Sequence, residues 1–172
     1  MFTAVSATCV TGLVAVDTYS TFTGFGQAVV LAMIQIGGLG LVTFASFFTL
    51  SFTRRQDYRT LQLVGESVSS SGLAEARGLL SMVVRLAAGF ELAGALLMLP
   101  VFVPQYGPEG IWIALFLAIS AFCNAGFDIL GTKSNLYPSL TGYADSPVIN
   151  ITVMLLIVIG GVGFLTWEDV NK

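Results

Sequence analysis

Long uncharged stretches dominate the pattern of apolar and polar positions in this chain. No Asp, Glu, Lys or Arg lies between Asp17 and Arg54, and residues 24–52 are apolar apart from two glutamines and several hydroxyl side chains. Residues 147–167 are also uncharged and mostly apolar. Because a helix that crosses a bilayer needs roughly 20 predominantly apolar residues, each of these two stretches predicts one membrane span.

A third stretch, residues 79–103, predicts another span, which contains Arg85 and Glu91 and is expected to stop at Pro100 and Pro104. A charge in the middle of a span costs on the order of 3 kcal/mol, so Glu91 is expected to face protein rather than lipid. A spacing of six residues does not put Arg85 and Glu91 on the same helix face, which argues against a direct ion pair. Two roles stay open for Glu91: locking helices together behind a pore, or lying on the path of a cation.

Two shorter apolar stretches, residues 2–16 and 111–127, fall below a comfortable span. Stretches of this length are more often re-entrant or interfacial than spanning. We therefore expect re-entrant segments here, the second of them entering and leaving on the external side.

The composition agrees with a membrane location and excludes several classes of protein. Of the residues, 55% are hydrophobic and 10% are charged, and the mean hydropathy is +0.86; soluble domains carry about 25% charged residues. With no His and a net charge of −3, the chain lacks the basic stripe that binding to nucleic acid requires. Two Cys without His complete neither a zinc site nor a disulfide framework. No general base accompanies them, so we expect neither an enzyme nor a bound cofactor.

The basic residues predict the orientation in the membrane. By the positive-inside rule, the loop at residues 53–76 and the last residue are cytoplasmic. In that loop the polar run at residues 67–72 is expected to break any helix. Its arginines either form a docking patch for a partner or for anionic headgroups, or only set the topology. The cytoplasmic basic residues are Arg54, Arg55, Arg59, Arg77 and Lys172, and the external one is Lys133.

Two pairs of motifs form an internal repeat. SATCVTGL at residues 6–13 matches SAFCNAGF at residues 120–127 with an offset of 114. IGGLGLVTF at residues 36–44 matches IGGVGFLTW at residues 159–167 with an offset of 123. In membrane proteins such repeats usually surround a transport path. The repeated unit is predicted to be a helix, a re-entrant loop and a second helix.

Each re-entrant segment is expected to contain a short helix that ends at a Cys and continues as extended backbone. Non-helical backbone is tolerated at membrane depth only where it lines water or is buried in protein. Rings of backbone carbonyls can replace the hydration shell of a monovalent cation, and glycine permits the backbone conformations that this requires. The short helices are residues 2–7 and 111–122, and the candidate ion-binding residues are Cys9, Val10, Thr11 and Gly12 in the first loop and Cys123, Asn124, Ala125 and Gly126 in the second.

Other interpretations of these residues stay open. Gly12 and Gly126 could simply permit turns, and the GGLG and GGVG segments could serve close helix packing, but two matching loops favour a pore. Asp17 and Asp128 either concentrate cations at an external mouth or brace their loops. Packing or bracing behind the loops is expected of Cys9, Cys123 and the Asn124 side chain.

These motifs resemble those of the Trk/Ktr/HKT superfamily of potassium transporters, and most closely the bacterial Trk/Ktr membrane subunits. The resemblance also includes IQIGGLG at residues 34–40 and FELAGALL at residues 90–97. It implies an all-α membrane protein built from tandem units of helix, re-entrant pore loop and helix. The chain is expected to be part of a longer subunit. Residues 1–52 would be a partial first unit with its pore loop and second helix, 53–76 the cytoplasmic loop, and 77–172 a complete second unit.

The resemblance further implies potassium uptake by a multi-pass protein of the plasma membrane, in bacteria the inner membrane. Gly12 and Gly126 would be filter glycines, with K⁺ held by the backbone carbonyls of Thr11, Gly12, Ala125 and Gly126. Relatives with Ser at the first filter glycine tend to favour sodium, so Gly12 favours potassium. A sodium-permeable transporter and a non-conducting membrane anchor or assembly fragment are the alternatives. The implied partners are the lipid bilayer, a second copy in a homodimer and a cytosolic nucleotide-binding regulatory subunit.

Overall fold

The computed structural model describes residues 1–54, 68–132, 135 and 138–162, and of residues 41–54 and 68–80 the backbone alone. The orientation of the chain in the membrane was predicted from its basic residues. Several of these lie outside the described ranges: Arg55, Arg59, Lys133 and Lys172. Residues 163–167, the last part of the second copy of the repeat motif, lie outside these ranges as well.

All regular secondary structure in the described ranges is helical, apart from an isolated bridge between Thr132 and Asn135. This confirms the predicted all-α class. The helices in chain order are α1 (Phe2–Thr8), α2 (Thr18–Thr21), α3 (Gly24–Arg54), α4 (Val68–Tyr106), α5 (Glu109–Phe122), a 3₁₀ turn (Thr141–Tyr143) and α6 (Pro147–Gly161).

Most helices coincide with the apolar stretches of the sequence. α1 and α5 are the two short helices expected at residues 2–7 and 111–122, and α3 covers the uncharged stretch at residues 24–52. α6 begins at Pro147, where proline fits because the first helical residue needs no N–H partner within the helix.

α4 differs from its prediction at both ends. It begins at Val68, so the expected helix break at residues 67–72 is wrong for the described residues 68–72. It also continues through Pro100 and Pro104 to Tyr106, so the expected stop at the prolines is wrong. A proline removes a helix hydrogen bond and strains the preceding turn. Here packing outweighs that cost, because this end of α4 is anchored by fully buried side chains, Met98 and Phe102.

α5 lies at the centre of the packing. It contacts α3, α4 and α6, and α4 also packs on α6, while α1 packs on α3. Close approach depends on small residues: Gly110 of α5 lies against the backbone of Phe102, where a Cβ would be 2.5 Å from the carbonyl oxygen. Gly94 of α4 similarly accommodates Leu156 of α6. The end of α5 and the following loop belong to the same core, since Phe122 and Phe127 are buried in it.

Within the described residues, one helical segment, Ser81–Tyr106, is long and apolar enough to cross a membrane. It has 26 residues and a mean hydropathy of 2.0 over its best window. The shorter apolar helical segments are Gly24–Gly40, Glu109–Phe122 and Pro147–Gly161.

Candidate ion pathway

The two short helices α1 and α5 end with the same pattern of backbone hydrogen bonds. In each case three N–H groups in a row turn back to the last helical carbonyls, at positions that differ by the repeat offset of 114. In the first loop, Cys9 donates to Val5 (2.8 Å), Val10 to Ala7 (3.3 Å) and Thr11 to Ser6 (3.0 Å). In the second loop, Cys123 donates to Ile119 (2.9 Å), Asn124 to Ala121 (3.1 Å) and Ala125 to Ser120 (2.8 Å).

The backbone dihedral angles of the two loops match as well. Val10 and Asn124 have φ values of +55° and +57°, and Gly12 and Gly126 both have φ of +71°. A β-branched residue such as Val10 rarely adopts a positive φ, whereas Asn tolerates it and glycine adopts it freely. The repeat in the sequence is therefore a repeat in backbone conformation.

The two loops meet at their glycines. A Cβ on Gly12 would lie 2.9 Å from the carbonyl oxygen of Ala125 and 3.7 Å from the Cα of Gly126. A Cβ on Gly126 would lie 3.6 Å from the Cα of Gly12. The structure thus brings two segments more than a hundred positions apart into backbone contact, and at Gly12 the contact leaves no room for a side chain.

Ser120 holds the second loop through two hydrogen bonds to the backbone of Phe127. Its hydroxyl donates to the Phe127 carbonyl (2.6 Å) and accepts from the Phe127 N–H (2.9 Å), and the serine is 2% exposed. The corresponding Ser6 of the first loop instead pairs with the Thr11 hydroxyl (2.8 Å). Ser120 and Phe127 therefore bracket the candidate stretch, which ends at Gly126. The role of Ser120 in holding this loop was not predicted from the sequence, although the Ser that both motifs share was a signal for it.

The glycine motifs of α3 and α6 seat the ends of the short helices. A Cβ on Gly37 would overlap the carbonyl oxygen of Thr8, and a Cβ on Gly160 would overlap the carbonyl oxygen of Phe122. Thr8 and Phe122 are the last residues of α1 and α5. The small residues thus serve close packing, as one interpretation held, and what they pack against is the start of each loop.

The two cysteines differ in their surroundings. Cys123 is buried and lies against Gly38 of α3, where a Cβ would be 2.7 Å from both its Cβ and its sulfur. This agrees with packing behind the loop. Cys9 is exposed among the described residues, so its packing behind the first loop stays a prediction. The exposed Asn124 side chain lies 4.0 Å, at its amide nitrogen, from the Cβ position of Gly161.

Glu91 is buried, at 5% exposure, and therefore faces protein as expected. Both of its carboxylate oxygens accept from the Gln35 side-chain amide, at 2.8 and 3.1 Å. Gln35 was not assigned a role from the sequence, although a polar side chain within an apolar stretch is itself a signal of function or of buried pairing.

Asp17 and Asp128 both accept backbone hydrogen bonds. Asp17 caps α2 by accepting from the Ser20 N–H (2.8 Å), is 5% exposed and packs directly against Gly131. Asp128 accepts from the Leu130 N–H (3.0 Å). Burial raises the pKa of Asp128, the Leu130 N–H lowers it, and the nearby Asp17 carboxylate raises it. Both carboxylates brace the segment outside the loops; attraction of cations stays a prediction.

A cavity of about 330 Å³ lies beside the second loop. It is bordered by loop residues and by apolar side chains of α5 and α6: Asn124, Gly126, Asp128, Leu117, Val153 and Ile157. One side of Gly126 therefore meets Gly12, while Asn124 and Asp128 border open space.

The fold and these loops define an α-helical membrane protein, the class predicted from the sequence. The sequence profile of the TrkH family, described as cation transport proteins, matches residues 1–170. The chain belongs to this family.

Three relatives are uptake proteins by name. The chain is 40% identical over 174 residues to Ktr system potassium uptake protein B of Bacillus subtilis, and the match covers 100% of this chain and 38% of that protein. It is 34% identical to the Ktr system potassium uptake protein B of Vibrio alginolyticus, over 99% of this chain and 36% of the relative. It is 32% identical to the potassium/sodium uptake protein NtpJ of Enterococcus hirae, over 99% of this chain and 37% of the relative. The chain thus spans less than two fifths of each relative's length.

Proposed function

We propose that this chain forms part of a pathway for potassium uptake across the plasma membrane, in which backbone carbonyls of both loops coordinate the ion. The observation that carries the proposal is the pair of loops with equal backbone conformation that meet at Gly12 and Gly126. A carbonyl-lined site for a dehydrated cation needs such loops to converge. Membership of a cation transport family supports transport, and the names of the relatives support potassium.

In this proposal the ion is held by the carbonyls of Thr11, Gly12, Ala125 and Gly126, and the residues Cys9, Val10, Cys123 and Asn124 start the two filter stretches. α1 and α5 end at these stretches, so the negative ends of their dipoles favour a cation there. The membrane potential, at about 2.3 kcal/mol per charge per 100 mV, drives entry. The relatives carry the names of uptake proteins, and we propose no enzymatic activity.

We further propose a multi-pass arrangement in the bilayer, with α3, α4 and α6 as spans and with unit boundaries at residues 52, 76 and 172. Large apolar side chains on their outer faces support this, because such faces need lipid or protein against them. Examples are Ile36 (71% exposed), Leu96 (64%) and Val158 (60%). Labelling of single external and internal cysteines in whole cells tests the topology; labelling of residues 53–76 from outside would contradict it.

Two partners belong to the proposal because the family resemblance implies them. One is a second copy of the complete subunit, and the other is a cytosolic nucleotide-binding regulatory subunit. The mass of the purified full-length protein in detergent tests the dimer, and a monomeric mass would exclude it. Nucleotide-dependent uptake on co-expression of a regulatory subunit tests the second partner, and uptake that is independent of nucleotide would exclude it.

One relative favours a second candidate. NtpJ is named as a potassium/sodium uptake protein, so sodium permeation is the alternative ion specificity. The glycine packing at Gly37 and Gly160 is also compatible with a non-conducting membrane anchor or assembly fragment. The anchor predicts that Gly12 and Gly126 tolerate Ser, whereas the pore predicts that they do not.

The test is potassium-limited growth of an uptake-deficient bacterial strain, with the full-length reading frame that carries this chain. The variant is Gly126→Ser, and the matched control is Gly107→Ser. Both glycines have positive φ, +71° and +62°, but Gly107 lies between α4 and α5, and no atom of the described residues is within 4 Å of its Cβ position. Both substitutions introduce similar backbone strain, so only the difference between them reports on the loop.

We expect growth with the unmodified protein, growth with Gly107→Ser and loss of potassium preference with Gly126→Ser. Equal growth with all three would favour the anchor. Growth that requires sodium and takes up sodium in place of potassium would favour the second ion specificity.

A further inference from the structure

Glu91 and Gln35 join two repeats of the chain by a hydrogen-bonded pair in which the carboxylate is buried. Gln35 lies in α3, the last helix of the first repeat, and Glu91 lies in α4, the first helix of the second. The carboxylate is 5% exposed, and both of its oxygens accept from the Gln35 Nε2, at 2.8 and 3.1 Å. A buried carboxylate is strongly destabilising unless it is hydrogen-bonded, so this contact constrains both helices.

The same amide reaches the second loop. The Cys123 sulfur lies 3.9 Å from the Gln35 Oε1 and donates to it. Gly38, three residues after Gln35, lies directly against Cys123. Cys123 directly follows α5 as its C-cap, and the candidate filter stretch starts there. Glu91 therefore connects to the start of that stretch through one side chain.

The chemistry of the three groups orders the Gln35 amide. An ionised carboxylate only accepts hydrogen bonds, so it must face the amide NH₂, and the amide oxygen is then left to face the thiol. The thiol alone, a weak donor and a weak acceptor, would leave the amide free to turn over, so the carboxylate decides its orientation. Linked in series, the three polar groups have a single satisfied arrangement, and such networks favour one packing of a core.

Within the part of the chain that the structure describes, the first loop shows no counterpart of this network. The repeat offset of 123 places Val158 opposite Gln35, and Val158 is 60% exposed. Cys9, the counterpart of Cys123, is exposed as well. Among the described residues this network is therefore made at the second loop.

We propose that Glu91, acting through Gln35, is a positioning residue that fixes the start of the second filter stretch at Cys123 and thereby contributes to the preference for potassium over sodium. This inference rests on the proposed function. Selectivity by carbonyl coordination depends on the placement of the oxygens. Displacement of a positioned group by about 1 Å can cost up to about 100-fold in a rate that depends on geometry.

The test uses the full-length protein and measures KM and Vmax for K⁺ and Na⁺ uptake in the deficient strain. Glu91→Leu removes the acceptor of the Gln35 Nε2. The exchanged pair, Gln35→Glu with Glu91→Gln, keeps the network, because the carboxylate at position 35 accepts from both the new amide and the thiol. Glu109→Gln removes an exposed carboxylate at the start of α5 and is the control.

We expect Glu91→Leu to lower the preference for K⁺ over Na⁺ roughly tenfold through the two KM values, while the exchanged pair and the control keep it. If Glu91→Leu fails to reach the membrane, the exchanged pair decides: loss of preference in that variant, at normal expression, would refute the inference. An unchanged preference in Glu91→Leu would refute it too. Absence of K⁺ uptake by the unmodified protein would instead refute the proposed function.

Discussion

Ser120 holds Phe127 by both of its backbone polar groups, donating to the carbonyl at 2.6 Å and accepting from the N–H at 2.9 Å. One side chain thus joins the two ends of the segment that contains the candidate filter stretch. Neither polar group of Phe127 has a helix or sheet to pair with, and buried backbone groups must pair with something. Ser6 of the first repeat makes a different contact, to the Thr11 hydroxyl.

The first prediction follows from this difference. Ser120→Ala leaves the Phe127 N–H and carbonyl unpaired in a buried place, and we expect it to lower the free energy of unfolding by about 2–4 kcal/mol, since each such group costs about 1–3 kcal/mol. Ser6→Ala breaks a hydroxyl pair but no comparable backbone contact, so its cost should be smaller. Thermal unfolding of the two full-length variants in detergent measures both. Equal losses would show that Ser120 is no more important than its counterpart.

The second prediction concerns the packing of α1 on α3. A Cβ at Gly37 overlaps the carbonyl oxygen of Thr8, which is backbone and cannot turn away. We expect Gly37→Ala to destabilise the protein by about 3 kcal/mol, at the upper end of overpacking costs. Gly40→Ala on the same helix is the control, because its Cβ position has no atom within 4 Å among the described residues.

Expression and thermal unfolding of the purified variants measure this pair. A stable Gly37→Ala protein with an unchanged unfolding temperature would mean that α1 does not pack against α3 at Gly37 in the full-length protein. Gly160→Ala repeats the experiment in the second repeat, since Gly160 faces the Phe122 carbonyl in the same way.

Local patterns predicted the elements that surround the site better than the contacts within it. The apolar stretches and the repeat motifs gave α1, α3, α5 and both loops, because helix formation in apolar segments and glycine turns are local properties. The end of α4 was mispredicted because proline preferences are local, whereas the buried Met98 and Phe102 anchor this end of the helix through packing.

The pairing of Gln35 with Glu91 and of Ser120 with Phe127 was not predicted. Partners in a fold are chosen by three-dimensional placement, and the spacing along one helix identifies only neighbours within that helix. The glutamine lies 56 positions from its carboxylate. The presence of a polar Gln35 within an apolar stretch was visible in the sequence, but the residue that its side chain contacts was not.

The third prediction rests on the matching backbone dihedral angles of the two loops. Val10 and Asn124 share a positive φ, which is unfavourable for Val by about 1–2 kcal/mol and much less so for Asn. We expect Asn124→Val to lower the free energy of unfolding by about that amount. Asn124→Gly should not lower it, because glycine adopts this φ without a Cβ penalty.

Chemical or thermal unfolding of the full-length variants tests this prediction. Val10→Asn should relieve the corresponding strain in the first loop, although it also gives up part of the apolar packing of the half-buried Val10. If Asn124→Val proved as stable as Asn124→Gly, the two loops would not share the conformation described.

The last prediction concerns the effect of pH through Asp128. Burial and the neighbouring Asp17 raise the pKa of Asp128 above its ordinary value of 3.8. A raised pKa means that the folded protein binds this proton more tightly than the unfolded chain does. The resulting stabilisation is therefore complete below the ordinary pKa and is lost as the pH rises through the raised pKa, so at neutral pH the ionised carboxylate is a net cost.

Asp128→Asn separates the charge from the hydrogen bond, because the amide oxygen of Asn can still accept from the Leu130 N–H. We expect this variant to unfold at a higher temperature than the unmodified protein at neutral pH, with a difference that shrinks on acidification toward the ordinary pKa. Asp145→Asn, which removes an exposed carboxylate from the segment between the second loop and α6, is the control. If the ionised Asp128 attracts cations to the pathway, Asp128→Asn also raises the KM for K⁺ at neutral pH; higher stability with an unchanged KM would assign Asp128 to bracing alone.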